Sequence, residues 1–442
     1  MSSEWTQTTV GDISTLVTKG TTPTTLGHPF QARGVNFIKV EALTEDGRFL
    51  REKFMFISEA ANQALSRSQL CRNDILFTIA GTIGRTALVT DEILPANTNQ
   101  AIAIVRPNPS VVRPRFLRYV FSNPSFTRNA QSRTVQSVQS NFSLGELKQA
   151  KIALPDIAEQ DQIVKILGTI DDRIALLRET NITLEAIALT LFRSWFVDFD
   201  PVRAKMDGRV PDGMDEATAA LFPDEFESKE TGVLPKGWSV CPLYDLATYI
   251  NGAAYKAFQP NGDRRGLPII KIAELKAGVT NQTAFSDVAM PEKYRIQTKD
   301  ILFSWSGNPD TSIDTFVWAN DPAWLNQHIF RVIPYAPNER AFILQTLRFL
   351  RPVFTELARN KQTTGLGHVT VADMKRLMVS KPTDAVLEIF NIKVGNIHER
   401  IFKNEQQILT LALLRDVFLP RLISGQLRVP NPQKALGSAH VN

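Results

Sequence analysis

The sequence predicts an α+β protein in which two α/β domains form a pseudo-twofold repeat, separated by a pair of long antiparallel coiled-coil helices. Three observations carry that expectation. The phrase DILFTIAG at 74–81 returns as DILFSWSG at 300–307. Each copy mixes short β-rich runs with an amphipathic helix, and each is followed by a heptad pattern. With 442 residues and 43% hydrophobic content, the chain can bury two or three cores.

The repeat extends well beyond that phrase. Trp5 to Asp12 matches Trp238 to Asp245 at both ends, Ile38-Lys39-Val40 matches Ile270-Lys271-Ile272, and Asn99-Gln100 matches Asn326-Gln327. From there the offset stays at 227, so that Leu147-Lys148 falls on Met374-Lys375 and Pro155 on Pro382. The expected organisation is a first domain over 1–154, a helical region over 155–200, an acidic linker over 201–234, a second domain over 235–381, a second helical region over 382–425 and a flexible tail over 426–442. Within the domains, ILFTI, ALVTD, AIAIVRP and HIFRVIP read as strands punctuated by glycine or proline, and FLRYVF and FILQTLRFL as helices with exposed arginines.

In the first helical region, Ile163, Ile170, Leu177, Leu184 and Leu191 take heptad position d, and Leu167, Ile174, Asn181, Ala188 and Trp195 take position a. The second region repeats the pattern from Phe390 to Leu422, with Asn404 and Arg415 as its polar members. Asp156 and Thr383 follow prolines at equivalent N-cap positions, and Glu159 completes a capping box in the first copy. Each helix is expected to run about 50 Å at about 1.5 Å per residue. Placed antiparallel with residue numbers summing to 585, the seams match, Trp195 meets Phe390, and Asn181 meets Asn404. That one polar layer would fix the register, since a slip buries an amide without its partner. Each domain precedes the N-terminus of its helix, so antiparallel packing is expected to hold the domains tens of ångströms apart.

The formal charge is +5, unevenly spread. Ten acidic and four basic residues lie between Asp198 and Glu230, whereas 1–154 and 235–381 each carry about +6. Two equally basic blocks thus flank an acidic linker, a balance that by itself two solvated domains with ordinary surfaces would show. Two cysteines in unrelated contexts and five scattered histidines exclude a disulfide framework and leave metal chemistry unexpected. No run of apolar residues is long enough to span a membrane and the start lacks signal-peptide character, so a cytoplasmic location is expected.

The phrases DILFTIAGTIGRTALV, LPDIAEQDQIVKILGTIDDRI, LFRSWFVDFDPVRAK with the acidic run and LPKGW after it, and LALLRDVFLPRLISGQLRV resemble the DNA specificity (S) subunit of type I restriction-modification systems. The likeness covers nearly the whole chain. It implies two target-recognition domains that each read one half of a bipartite site, helical regions that set the spacing, two methyltransferase (M) subunits docked on them, and restriction (R) subunits joined through that core. It also implies that this chain is not an enzyme. S-adenosylmethionine, with ATP and Mg for restriction, would sit on the partners. The sequence departs from the pattern at SGNPDTSIDT, where the first copy has AGTIGRTALV, and at KPTDAVLEIF, which lacks the EQ of LPDIAEQ.

The residues themselves support a reading head. Arg106, Arg113, Arg115, Arg118, Arg128 and Arg133 are interleaved with Phe116, Tyr119, Phe121 and Phe126, a pattern suited to neutralising phosphates. QSRTVQSVQSNF then supplies base-edge chemistry through Gln136, Gln139 and Asn141. In the second copy RNKQTTGLGH offers Arg359, Lys361, Gln362, Thr364 and His368. Lys19, Thr21, Arg85, Tyr255 and Lys256 complete the candidate DNA-contacting set. A docking surface for the methyltransferase is expected on the helices and on Trp195 to Pro201. The alternative is a non-catalytic coiled-coil adaptor that binds nucleic acid nonspecifically. Pro211-Asp212 with Glu227 to Lys229 mimics a nuclease motif, but it lies in an acidic, turn-rich stretch. NPSF at 123–126 lacks the second proline of an amino-methyltransferase motif.

Overall fold

A computed structural model describes residues 5–134, 142–229, 232–362 and 365–429, with side chains from 132 to 134 left out. Contacts divide the chain into two units, Met1–Ile174 with Leu411–Asn442, and Ala175–Thr410. In the first unit, strand Thr6–Thr9 pairs with Lys151–Leu154 and closes the domain. A four-stranded antiparallel sheet follows the order Ser14–Lys19, Ile102–Pro107, Ile75–Thr78, Thr86–Leu88. A three-stranded sheet places Val35–Ile38 between Met55–Ile57 and, parallel to it, Ala96–Thr98.

The second unit repeats this scheme. Ser239–Pro242 pairs with Met378–Lys381, and the sheet order is Ala247–Asn251, Ile329–Pro334, Ile301–Ser304, Asp314–Val317. The parallel pair returns as Leu267–Ile270 against Ala323–Leu325. The duplicated words therefore occupy duplicated places.

The repeated DILF phrase is structural. Asp74 is wholly buried; its carboxylate accepts the Cys71 backbone N–H (2.8 Å) and clamps the Arg106 guanidinium through Nε (2.7 Å) and Nη2 (2.8 Å). Asp300 likewise accepts the Gln297 N–H (2.6 Å) and pairs with Arg331 at 2.8 Å. The strand register sets Asp74 directly opposite Arg106, whereas Arg331 lies opposite Leu302, two residues along on the same strand face. Period-2 geometry lets an arginine move by two positions and still reach the same carboxylate. An aspartate at most 18% exposed persists in both copies because an arginine compensates its burial.

Two 40-residue helices, Ile157–Phe196 and Asp384–Ile423, follow the two domains. At about 1.5 Å per residue each is about 60 Å long, longer than the heptads alone indicated. They run antiparallel within each unit. Ile163 and Leu167 share a core with Phe418 and Leu422 in the first unit, and in the second the Trp195 and Phe390 rings meet at 5.5 Å. Asn404 Nδ2 donates to Asn181 Oδ1 at 2.7 Å, both residues being buried, and Asn181 Nδ2 donates to Glu405 Oε1 at 2.8 Å. The asparagine layer thus forms in the expected register, with a glutamate added. Replacing Asn404 by leucine is expected to cost about 1–3 kcal/mol by leaving the Asn181 amide short of a partner. The double change Asn181→Leu with Asn404→Leu should recover most of that loss in urea unfolding, since two apolar groups then face each other.

Local details differ from expectation at three places. Asp156 caps the first long helix by accepting the Glu159 N–H (2.8 Å), but the Glu159 carboxylate accepts from the Trp5 indole (3.0 Å) and pairs with Arg428. Gln160, buried in the EQ of the first copy, accepts the Arg113 N–H (2.8 Å) and donates to Pro155 O and Val111 O. The second copy has buried Leu387 at the equivalent position, an apolar solution to the same joint. The acidic segment contains helices Asp200–Met206 and Glu216–Ala220 and a hairpin of Phe226–Lys229 with Gly232–Pro235. Its Val202 and Phe222 join the core around Trp195, Phe196 and Trp238, because its few large apolar residues are spaced to reach that core.

Candidate nucleic-acid interface

In the first unit, Lys19 pairs with Ala103 and Thr78 with Ile102, so Lys19, Thr78 and Ile102 lie at one edge of the sheet. Loops 20–34, 79–85 and 99–101 all leave from that edge. Gly20 is required there, since a Cβ would stand 1.9 Å from Thr98 O. Lys19 is exposed, the Thr21 N–H donates to Thr98 O (3.2 Å), and the Thr22 hydroxyl donates to Gln100 Oε1. Arg128 is exposed on helix Pro124–Thr134, which Gln131 fastens to the 79–85 loop by donating to Ile83 O (3.2 Å). The NPSF phrase begins that helix, its Asn123 Oδ1 accepting the Ser125 N–H (3.1 Å). Arg85 turns inward, donating to Val40 O and Leu43 O. Arg133 belongs to the same helix with its side chain undescribed, and Gln136, Gln139 and Asn141 lie outside the described residues.

The second unit builds the same edge from other residues. Asn251 pairs with Phe330 and Ser304 with Ile329. Gly252 is again a close approach, its added Cβ falling 2.2 Å from Asn326 O. Exposed Tyr255 and Lys256 lie in the following loop. Trp305 donates its indole N–H to Asn251 Oδ1 (3.1 Å) and packs beside His328, whose Nε2 is 3.1 Å from Gln327 Nε2. His368 is brought here by pairing with Ser306, and the Val369 N–H donates to Trp305 O (2.8 Å). Arg359 is ion-paired with Asp310. Lys361 holds buried Asp373 at 2.5 and 2.6 Å. Gln362 is exposed, and Thr364 lies outside the described residues. Asn251, Trp305, Gln327 and His328 escaped the sequence reading because they come from three separate places in the chain, a strand end, the residue after a strand and a turn; the repeated Asn-Gln pair was their one visible signal.

The arginine row read as a phosphate surface is largely a docking row. Arg106 holds Asp74, Arg113 holds Asp161 (2.7 and 2.9 Å), Arg115 holds Asp172 (2.5 Å) and Arg118 holds Asp171 (3.1 Å). Phe116, Tyr119 and Phe121 are core residues, and Phe126 stacks on Phe121 at 4.9 Å. Asp172 lies eleven residues, or about three turns, beyond Asp161 and so shares its face of the long helix, with Asp171 about a quarter turn to one side. Tyr119 donates its hydroxyl to Asp171 (2.9 Å); burial first, and then the Asp171 charge, push its pKa up and keep it protonated.

At the equivalent place in the second unit, Gln345 meets His398 with Nε2–Nε2 at 2.7 Å. Burial, reinforced by Arg348 and Arg340, lowers the His398 pKa to about 3. The folded imidazole is therefore neutral while the unfolded one titrates near its ordinary value, so this site loses stability as pH falls below about 6.5 towards 3. Replacing His398 with glutamine is expected to flatten the acid limb of stability against pH, measured by urea titrations at several pH values.

Within the surface expected over Trp195 to Pro201, Trp195, Phe196 and Pro201 are buried, Asp198 and Phe199 are half-buried, and Val197 and Asp200 are exposed. Glu227 of the nuclease-like phrase pairs with Lys229 and accepts the Gly237 N–H. Among the described residues no group of three or more His, Cys, Asp or Glu is placed to hold a metal ion, and no helix is long and apolar enough to cross a membrane.

Residues 2–186 and 235–386 match the family model for the type I restriction modification DNA specificity domain. The chain is 25% identical to the type I restriction enzyme MjaIX specificity subunit of Methanocaldococcus jannaschii over 84% of this chain and 82% of that one. It is also 25% identical to the HindI specificity subunit of Haemophilus influenzae, over 96% and 100%. A crystal structure of the type I restriction-modification S subunit from M. genitalium covers 96% of both chains at 14% identity and a TM-score of 0.49. With two copies of the domain in one polypeptide, the chain belongs to the type I restriction-modification DNA specificity family.

Proposed function

We propose that the chain is the DNA specificity subunit of a type I restriction-modification enzyme, reading a bipartite duplex site with one half-site per domain. One observation carries this reading: the two domains share a strand order and a strand-end geometry yet arm that edge differently. Lys19, Thr21, Gln100 and Arg128 stand in one, and Tyr255, Lys256, Gln327, His328 and His368 in the other. A common frame with unlike polar loops suits two different base sequences on one kind of polymer. Arg133, Gln136, Gln139, Asn141, Gln362 and Thr364 belong to the same proposal.

The chain itself performs no chemistry in this scheme. Two methyltransferase subunits carry S-adenosylmethionine, and restriction subunits with ATP and Mg join through the methyltransferase core. Docking surface is supplied by exposed apolar residues of the long helices, Leu176, Ile182 and Leu189 in the second unit and Leu413, Leu414 and Val417 in the first. The test is a footprint of the chain with its methyltransferase, combined with a map of methylated bases in the host. Protection of one interrupted sequence is expected. Uniform, salt-sensitive binding to every duplex would replace this reading with the nonspecific adaptor.

A further inference from the structure

Three repeated phrases, far apart in sequence, meet in each unit. The glycine ending the first sheet strand, Gly20 or Gly252, packs on the backbone of Thr98-Asn99 or of Leu325-Asn326. The parallel strand beside that backbone ends in the repeated Ile-Lys: the Thr98 hydroxyl donates to Ile38 O (2.8 Å), and the Asn326 N–H donates to Ile270 O (3.0 Å). The next residue is Lys39 in one unit and Lys271 in the other.

These lysines are placed alike. Lys39 Nζ lies over the Phe30 ring at 4.7 Å, and Lys271 Nζ lies over the Tyr255 ring at 5.2 Å. Each aromatic comes from the loop that begins at the close-packed glycine. Neither lysine is paired with a carboxylate among the described residues, unlike Arg106, Arg113, Arg115, Arg118, Arg359 and Lys361. A ring beneath an ammonium restrains the side chain without using up its N–H donors.

Two half-sites differ in base sequence but not in backbone. A cation kept in both domains, at one place in the frame, therefore suits the part of the ligand the half-sites share, and the diverged side chains around it suit the part that differs. On this basis, and resting on the DNA-reading function above, we infer that Lys39 and Lys271 are equivalent phosphate anchors. Each would seat its domain on the duplex without choosing bases.

The full chain, with its methyltransferase if binding requires it, is titrated with a randomised duplex and with the duplex carrying its mapped site, over a range of salt. Lys39→Ala and Lys271→Ala are each expected to weaken both duplexes by a similar factor and to reduce the slope of log affinity against log salt by about 0.9, the value for one phosphate contact. The double variant should lose about twice that, and Lys→Arg should retain it. Base preference, read by selection from the random pool, should not move. An unchanged slope, or a changed base preference, overturns the assignment. A wild-type chain with no site preference at all would defeat the specificity reading instead, leaving the slope result to stand by itself.

Discussion

Asp171→Ala is expected to lower stability by about 3–5 kcal/mol, the usual loss when one partner of a buried charge pair is removed. Its carboxylate accepts from Arg118 (3.1 Å), from the Tyr119 hydroxyl (2.9 Å) and from Arg415 (3.3 Å), and all three ionic side chains are at most 19% exposed. The Arg118 guanidinium would be left shielded from water without a counter-charge, while Arg415 would keep only its more exposed partner Asp416 (2.9 Å). Arg415 is also the charged residue at a heptad core position of the second long helix, so the same carboxylate accounts for an apparent flaw in that seam. Equilibrium urea unfolding measures the loss, and hydrogen exchange should show it concentrated in helix Pro114–Ser122 and in the paired helix segments of the first unit. A loss below about 1 kcal/mol, the range of an exposed pair, would mean that apolar packing alone docks this domain.

Phe390→Ala should be comparably damaging, at about 3–5 kcal/mol, through the cavity left in a packed core. Phe390 is fully buried in the second unit, with its ring 4.7 Å from Phe196, 5.5 Å from Trp195 and 6.2 Å from Phe192. Phe192 and Phe196 also touch Phe342 on helix Arg340–Phe349 of the domain. One ring thus borders both the helix pair and the α/β domain. Phe390→Leu, which keeps much of the volume, should cost well under half as much. Equal losses for the two variants in thermal and urea unfolding would show that aromatic geometry, rather than volume, holds the joint.

Local pattern made much of this legible. The duplication is written in ordered phrases, and the heptads predicted both long helices and the Asn181–Asn404 layer. A seven-residue repeat has one burial solution, and an amide in it has few partners. Phe192 and Phe196, and their equivalents Leu419 and Ile423, lie off that seam. They were visible as extra apolar residues, but not as the faces that meet the domains.

The sequence by itself determined the class of the chain, its two-copy plan, the long helices and the register of their polar layer, because each depends on spacing within a continuous segment. Tertiary structure alone decided which cations are engaged by carboxylates and which remain available. Arg115 and Arg118 meet aspartates more than fifty residues away, while Lys39 and Lys271 rest on rings from another loop. A side chain's charge is a property of its residue, but whether that charge is already neutralised depends on what the fold brings within a few ångströms, and no periodicity encodes that distance.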